Sequence, residues 1–395
     1  MPFILIIANI VGYIGFVLLY LQVVLGTRHV FGLVTKDTVL MNKIHSWLGK
    51  YGILAVVAHP LLSMMNRLED VVWIFTPNFV VRTETYITLG RFALIAFLVV
   101  WVTSALVREK LKWTQWKYIH LLAYPIILLI FLHIKEIGSF YESFIFIQAL
   151  WMFFFGVFIG VVIYRLLLWA GFLKTRYIVT GKELIGDSIL VIKLTADKGE
   201  AHTSSMGQHF FLQSGRWKSE HPFSVIRNDG ETLTFGIRKL GRFWDEITSK
   251  AVGESVLVDG AYGVFTREAQ NDAPKVFISA GIGVTPFVDV VEHFGKNAFY
   301  INCNRTLEEV VERETLKSHV AVYRDIVGEA PQESDPSVMV GMITKERILE
   351  IVGAENVATL PFFICGSPGF IGVVKNMLGE LGVPASSVYD EELGF

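Results

Sequence analysis

Charge is scarce in this sequence. Of its 395 residues only 18% are Asp, Glu, Lys or Arg, against 52% hydrophobic, whereas soluble globular chains carry about 25% charge. That deficit excludes an ordinary soluble protein and predicts a large lipid-facing portion. The formal net charge is −2 and no basic patch threaded with aromatics occurs, so nucleic acid is excluded as a partner. Cysteine is scarcer still. Cys303 and Cys365 both lie in the polar C-terminal half and form no disulfide framework, which is compatible with a reducing compartment for that half. The absence of CxxCH excludes haem held through thioether bonds. The start, Met1-Pro2-Phe3-Ile4, lacks the basic region of a cleavable signal peptide, so its apolar run reads as a first membrane span. Internal repeats and low-complexity tracts are also lacking.

What is present divides near Lys174. Before it, five stretches at about 3–26, 42–65, 87–107, 116–137 and 143–170 are apolar over the ~20 residues that a helix needs to cross a bilayer. Loop charges orient them. Arg108, Lys110, Lys112 and Lys117 fall in one connection, Arg28, Lys36 and Lys43 in another, and Arg165, Lys174 and Arg176 follow the last span. These predict cytoplasmic loops, an external N-terminus and a cytoplasmic C-terminal half. The 66–86 loop mixes Arg67 and Arg82 with Glu69, Asp70 and Glu84. From Tyr177, short β-type runs (Tyr177–Val179, Ser188–Leu194, His209–Leu212, Thr232–Ile237) predict a small antiparallel barrel to about residue 268. After Asp272 a strand at Val276–Ala280, a helix from about Pro286 and a strand at Ala298–Cys303 predict a doubly wound α/β domain. The expected architecture is a multidomain membrane protein: an all-α transmembrane bundle over 1–172, an antiparallel β-barrel over 173–268 and a doubly wound α/β domain over 269–395.

The second and fourth spans each carry two histidines, His45 with His59 and His120 with His133. Separations of fourteen and thirteen residues are near-integral helical turns and place the rings ~20 Å apart on one face. His45 can then face His120, and His59 can face His133, each pair holding one iron. Imidazole suits iron, and bis-histidine ligation fills both axial positions, favouring electron transfer over oxygen binding at the metal. Scattered polar residues are the plain alternative, although ionisable groups within membranes are costly and default to function. On the predicted topology His45/His120 is the inner site and His59/His133 the outer. His29, in a loop without a partner, is not expected to be a ligand. Arg91 opens the third span and is a candidate to neutralise haem propionates or attract an anionic acceptor; a snorkelling arginine is the alternative.

In the C-terminal half, His221-Pro222-Phe223-Ser224-Val225 closes a strand with a hydroxyl suited to the edge of an isoalloxazine. Arg238, Lys239 and Gly241 offer charge and a close backbone approach to a pyrophosphate. Asp259-Gly260-Ala261-Tyr262-Gly263 reads as a turn. Gly281-Ile282-Gly283-Val284-Thr285-Pro286 follows an apolar strand directly. Thr285 is expected as N-cap and Pro286 as first helical residue, with glycine amides free to meet a pyrophosphate. Pro286 replaces the third glycine of the dinucleotide fingerprint. Arg305, together with Arg313, favours NADPH over NADH because arginine suits a 2′-phosphate; a solvated arginine is the alternative. Phe362-Phe363-Ile364-Cys365-Gly366-Ser367-Pro368 is a second strand running into a turn, and the chain stops at Phe395, an aromatic able to cover a flavin ring.

Together HPFSV, GIGVTPF, CGSPGF and the paired histidines resemble the NADPH oxidase and ferric reductase superfamily, and the C-terminal half is similar to ferredoxin–NADP reductases. The resemblance implies FAD bound around His221–Ser224, NADPH (with NADH possible) at the 281–286 and Cys365–Gly366 motifs, two b-type haems, and a cell-membrane protein. It implies electrons passing from cytosolic NADPH through FAD and both haems to an external acceptor, with Phe395 stacking on the flavin and Cys365 at the nicotinamide. Five spans are one fewer than that family usually has, and nothing calls for an obligatory partner protein. Molecular oxygen, giving superoxide, is the first expectation for the acceptor, and ferric or cupric chelates are the second. A haem-binding sensor or transporter is the reading from another class, which the dinucleotide motifs oppose.

Overall fold

A computed structural model describes residues 3–28, 35–67, 69–197 and 201–391. Phe395 and His29 lie outside the described residues. The chain divides into two compact units, Met1–Leu166 and Leu167–Phe395, so the expected boundary at 172 falls inside the second.

The first unit is helical: α1 (Phe3–Leu25), α2 (Thr38–Arg67), a short α3 (Val71–Phe75), α4 (Arg82–Ala105), α5 (Trp113–His120), α6 (Ala123–Ile137), a short α7 (Ser139–Ser143) and α8 (Ile145–Trp169). Among the described residues five spans are long and apolar enough to cross a membrane, with α5 and α6 forming one. Three spans begin earlier than hydropathy predicts, at Thr38, Arg82 and Trp113. Asp37 takes the Leu40 backbone N–H on its carboxylate at 2.8 Å, satisfying an amide that the helix start leaves bare. The fourth span is not the continuous helix expected. It turns at Leu121-Leu122 because Pro125 lacks an N–H and its ring crowds the Leu121 carbonyl. Helix α1 packs along α2, and α4 along α6. Their interior is aromatic: Phe16 lies 4.5 Å from Trp151 and 5.3 Å from Phe131, ring centre to ring centre.

The second unit combines a barrel and a sheet. Strands β1 (Thr175–Ile185), β2 (Ile189–Ala196), β3 (His209–Gln213), β4 (Glu220–Asn228), β5 (Thr232–Arg238) and β6 (Ser255–Tyr262) close in the order β1-β2-β5-β4-β3-β6. Each neighbouring pair is antiparallel. Alternating inward residues such as Tyr177, Ile192, Phe210 and Phe235 fill the barrel. Helix α9 (Gly241–Thr248) seals it with Phe243 and Trp244. Asp259–Tyr262 is strand β6 rather than a turn, because the ladder with β3 runs through Asp259 to Tyr262.

The sheet contains β7 (Lys275–Ala280), β8 (Ala298–Asn304), β9 (Val322–Val327), β10 (Val338–Val340), β11 (Phe362–Cys365) and β12 (Val388–Glu391), parallel throughout in the order β10-β9-β8-β7-β11-β12. The chain winds outward one way from β7 through β10, then outward the other way through β11 and β12. The reversal point therefore lies between β7 and β11, and in open parallel sheets ligands bind at the strand C-termini there.

Candidate functional site

Each intramembrane histidine faces the predicted partner. Ring centres of His45 and His120 lie 6.0 Å apart, and those of His59 and His133 lie 6.2 Å apart. A metal–imidazole bond is about 2 Å and a ring centre lies about 1 Å beyond its nitrogen, so one iron between two imidazoles needs about 6 Å. Among the described residues no group of three or more His, Cys, Asp or Glu could hold a metal ion. Two opposed imidazoles and no third donor suit a haem, whose porphyrin supplies the equatorial ligands. The residues present therefore fit the group.

The surroundings of the two pairs differ. His59 Nδ1 lies 2.8 Å from the Ala8 carbonyl, and His133 Nδ1 lies 2.9 Å from the Tyr86 carbonyl. His120 Nδ1 instead meets the Ser104 hydroxyl at 3.2 Å, which also takes the Trp116 indole N–H at 3.1 Å. His45 Nδ1 is buried without a hydrogen-bond partner. Arg91 is buried rather than snorkelling, at 6% exposure. It donates to Thr88 at 3.1 Å, lies 3.6 Å from Glu84 and 4.6 Å from the Trp73 ring centre, and its Nε has no partner.

In the second unit the motifs after β7 and β11 meet. A Cβ on Gly283 would lie 2.4 Å from the Cys365 carbonyl oxygen and 2.8 Å from the Gly366 nitrogen, so only glycine lets the two turns touch. Gly281 has φ +55°, and a Cβ there would lie 2.7 Å from the Arg238 guanidinium. Arg238 ends β5 and therefore stands beside the turn, 3.8 Å from Glu309. The local helix differs from expectation. Gly281–Phe287 forms a 3₁₀ turn and the next helix, α10 (Val288–Phe294), begins after it. Thr285 and Pro286 are thus within the turn, not N-cap and first helical residue, and the Thr285 hydroxyl donates to the Ile282 carbonyl at 3.0 Å. Contact with β11 holds this segment too tightly for a regular α-turn.

On β4, His221 and Phe223 pack on Phe243, ring centres 4.7 and 5.3 Å away. Pro222 lies between them in the strand. Ser224 is buried and its hydroxyl has no hydrogen-bond partner. An orphaned buried hydroxyl is costly unless a ligand satisfies it, which fits the expected flavin edge. Gly241, at φ +65°, opens α9 with nothing near its missing side chain. Gly260 has a packing reason, since a Cβ there would lie 2.4 Å from the Phe210 ring.

The two arginines separate. Arg305 is exposed and lies 3.4 Å from Glu329. Arg313 bonds Asp325 and Asp335 at 2.7 Å each and Ser337 at 3.0 Å, so its guanidinium is already committed. Cys365 is buried, and burial, reinforced by Glu391, pushes its thiol up and keeps it protonated. Sequence reasoning missed His209 and Glu391. Both are nearly fully buried and 3.4 Å apart, with His209 opposite Ser224 on β4 and Glu391 opposite Cys365 on β11. The strand registers bring together each pair, the His209–Glu391 contact joins the two pairs, and no local signal announces them.

Residues 11–131 match the family described as ferric reductase like transmembrane component, a range that takes in His45, His59 and His120. A flavohemoprotein of Bacillus subtilis is 26% identical over 156 residues, 36% of this chain and 38% of that one. A ferredoxin–NADP reductase B of Sorangium cellulosum is 25% identical over 151 residues, covering 35% of this chain and 62% of that one. The chain thus spans less than two thirds of these relatives' lengths. A solved ferredoxin NADP+ reductase of Neisseria gonorrhoeae superposes with a TM-score of 0.48 at 16% identity, covering 56% of this chain and 98% of that one. The chain is therefore similar, over residues 11–131, to a ferric reductase-like transmembrane component, and similar over another part of its length to flavohemoproteins and a ferredoxin–NADP reductase.

Proposed function

We propose that this protein carries electrons across the cell membrane from cytosolic NADPH, through FAD and two b-type haems, to external molecular oxygen, giving superoxide. The observation that carries the reading is the pair of facing histidine couples at 6.0 and 6.2 Å on membrane-spanning helices. Similarity to a flavohemoprotein and to a ferredoxin–NADP reductase supports flavin and nicotinamide binding by the second unit, with 173–268 holding the flavin and 269–395 the nucleotide. Arg165, Lys174 and Arg176 beside the last span support a cytoplasmic second unit.

In this reading His45 and His120 hold the inner haem, and His59 and His133 the outer. Flavin supplies conversion of a hydride into single electrons and haem supplies one-electron carriage. The residues of the chain position these groups. The turn at 281–287 and Gly366 would present backbone amides to the pyrophosphate, with Arg238 beside it, and Arg305 would meet the 2′-phosphate. The Ser224 hydroxyl would meet the flavin edge, Cys365 would keep its proton beside the nicotinamide, and Phe395, outside the described residues, would cover the flavin ring. The ferric reductase-like match favours ferric or cupric chelates as the second reading for the acceptor.

The test is NADPH oxidation by the full chain in detergent, with dye reduction sensitive to superoxide dismutase compared with ferric-chelate reduction. Dismutase-sensitive reduction as the larger flux is expected. Chelate reduction that continues anaerobically, with no superoxide in air, would replace oxygen by the chelate.

A further inference from the structure

The His59/His133 couple is held by a device that occurs twice. In an α-helix the carbonyl of residue i accepts the N–H of residue i+4. The Ala8 carbonyl, 2.8 Å from His59 Nδ1, has Gly12 as that helical donor. The Tyr86 carbonyl, 2.9 Å from His133 Nδ1, has Gly90. At both places the residue four on is glycine, and at both a side chain would strike the ring. A Cβ on Gly12 would lie 2.7 Å from His59 Nδ1, and one on Gly90 would lie 2.5 Å from His133 Nδ1. The repetition is carried by different helices, α1 serving α2 and α4 serving α6. The His45/His120 couple lacks it: His120 turns to a serine hydroxyl and His45 Nδ1 has no partner.

Resting on the haem reading above, we propose that Gly12 and Gly90 are positioning residues for the haem at His59 and His133. Each glycine clears the helix surface so that a backbone carbonyl of the neighbouring helix accepts the Nδ1 proton. The ring is then locked in rotation and tautomer, and Nε2 of both histidines is directed at the same iron. A hydrogen-bonded imidazole is the more basic ligand, which favours the ferric state. The carbonyl clasp therefore lowers the potential of this haem, a device the other site does not share.

Gly12→Ala and Gly90→Ala test this, with Gly156→Ala in α8 as control because nothing lies within 4 Å of its missing side chain. Haem per chain, the low-temperature electron paramagnetic resonance of the oxidised protein and a redox titration are read in the full chain. His59→Ala identifies which signal belongs to this site. Fewer than two haems in the unsubstituted protein defeats the haem reading itself, and the proposal with it. Given two, each glycine variant is expected to shift that one signal and make its haem about tenfold easier to reduce, about 59 mV for one electron, or to lose that haem alone. The other haem, the NADPH-reducible flavin and the Gly156→Ala protein stay as they were. Unchanged signals and potentials in both variants overturn the proposal, as do equal disturbance of both haems or joint loss of haem and flavin.

Discussion

Arg305 and Arg313 lie eight residues apart, yet their replacement is expected to fail in opposite ways. Arg313→Ala leaves Asp325, a fully buried carboxylate, without its cation. Tyr323 and Asn302 still donate to it at 2.8 and 3.1 Å, but removing one partner of a buried ion pair costs about 3–5 kcal/mol. For a unit of this size one kcal/mol moves the melting temperature by roughly 2–4 °C, so a loss on the order of 10 °C is expected. Arg305 pairs with Glu329 between side chains 73% and 64% exposed, worth less than about 1 kcal/mol. Its replacement by alanine leaves melting alone. A hydrogen bond to a charged 2′-phosphate contributes about 1.5–3 kcal/mol, so Arg305→Ala should lower the NADPH/NADH ratio of kcat/KM by about 10- to 150-fold. Melting followed by flavin release, and steady-state rates with both nucleotides, decide the matter. An Arg313→Ala protein that melts normally but loses NADPH preference would refute the assignment, as would an unchanged ratio in Arg305→Ala.

Ser224→Ala should leave stability unchanged or raise it by about 1 kcal/mol, since the hydroxyl has no partner, while slowing flavin reduction; stopped-flow reduction by NADPH checks this, and an unaltered rate removes Ser224 from the flavin edge. Pro125→Ala should let α5 and α6 join into one helix and turn His120 away from His45, so haem content should fall from two to one per chain; two unchanged haems would show the break to be dispensable. The Ser337 hydroxyl and the Arg313 guanidinium hold the Asp335 carboxyl well below the usual carboxylate range. Its folded-state pKa is thus below the unfolded value of about 3.9, so its contribution is complete above that pH and is lost as pH falls through and below it. Denaturation midpoints at pH 7 and at about pH 2 should differ less in Asp335→Asn, and an identical difference would exclude this group from the acid response.

Much of the architecture is written in local pattern. Apolar runs of about 20 residues mark spans whatever surrounds them, and the fourteen- and thirteen-residue histidine separations carry the pairing because helical periodicity relates them directly. The break at Leu121-Leu122 was legible in Pro125, but the length of the hydrophobic run masks it. The glycine motif follows β7 directly, as its sequence predicts, but with a different local geometry. A helix start depends on Thr285 and Pro286, whereas the observed 3₁₀ turn depends on a carbonyl at Cys365, some eighty residues later. Arg313 looked like a phosphate ligand because its two aspartates arrive only through the sheet. Likewise the clasps on His59 and His133 join residues 51 and 47 apart, and no window of sequence contains both ends.

The central claim is a two-haem wire fed by a nicotinamide nucleotide. Anaerobic addition of NADPH to the purified full chain, with absorption spectra recorded against a haem count per chain, tests it most directly. Two bis-histidine b-type haems per chain, both reduced by NADPH, are predicted, with His45→Ala stopping reduction of the His59/His133 haem. One haem or none, or two haems that NADPH leaves oxidised, would contradict the account.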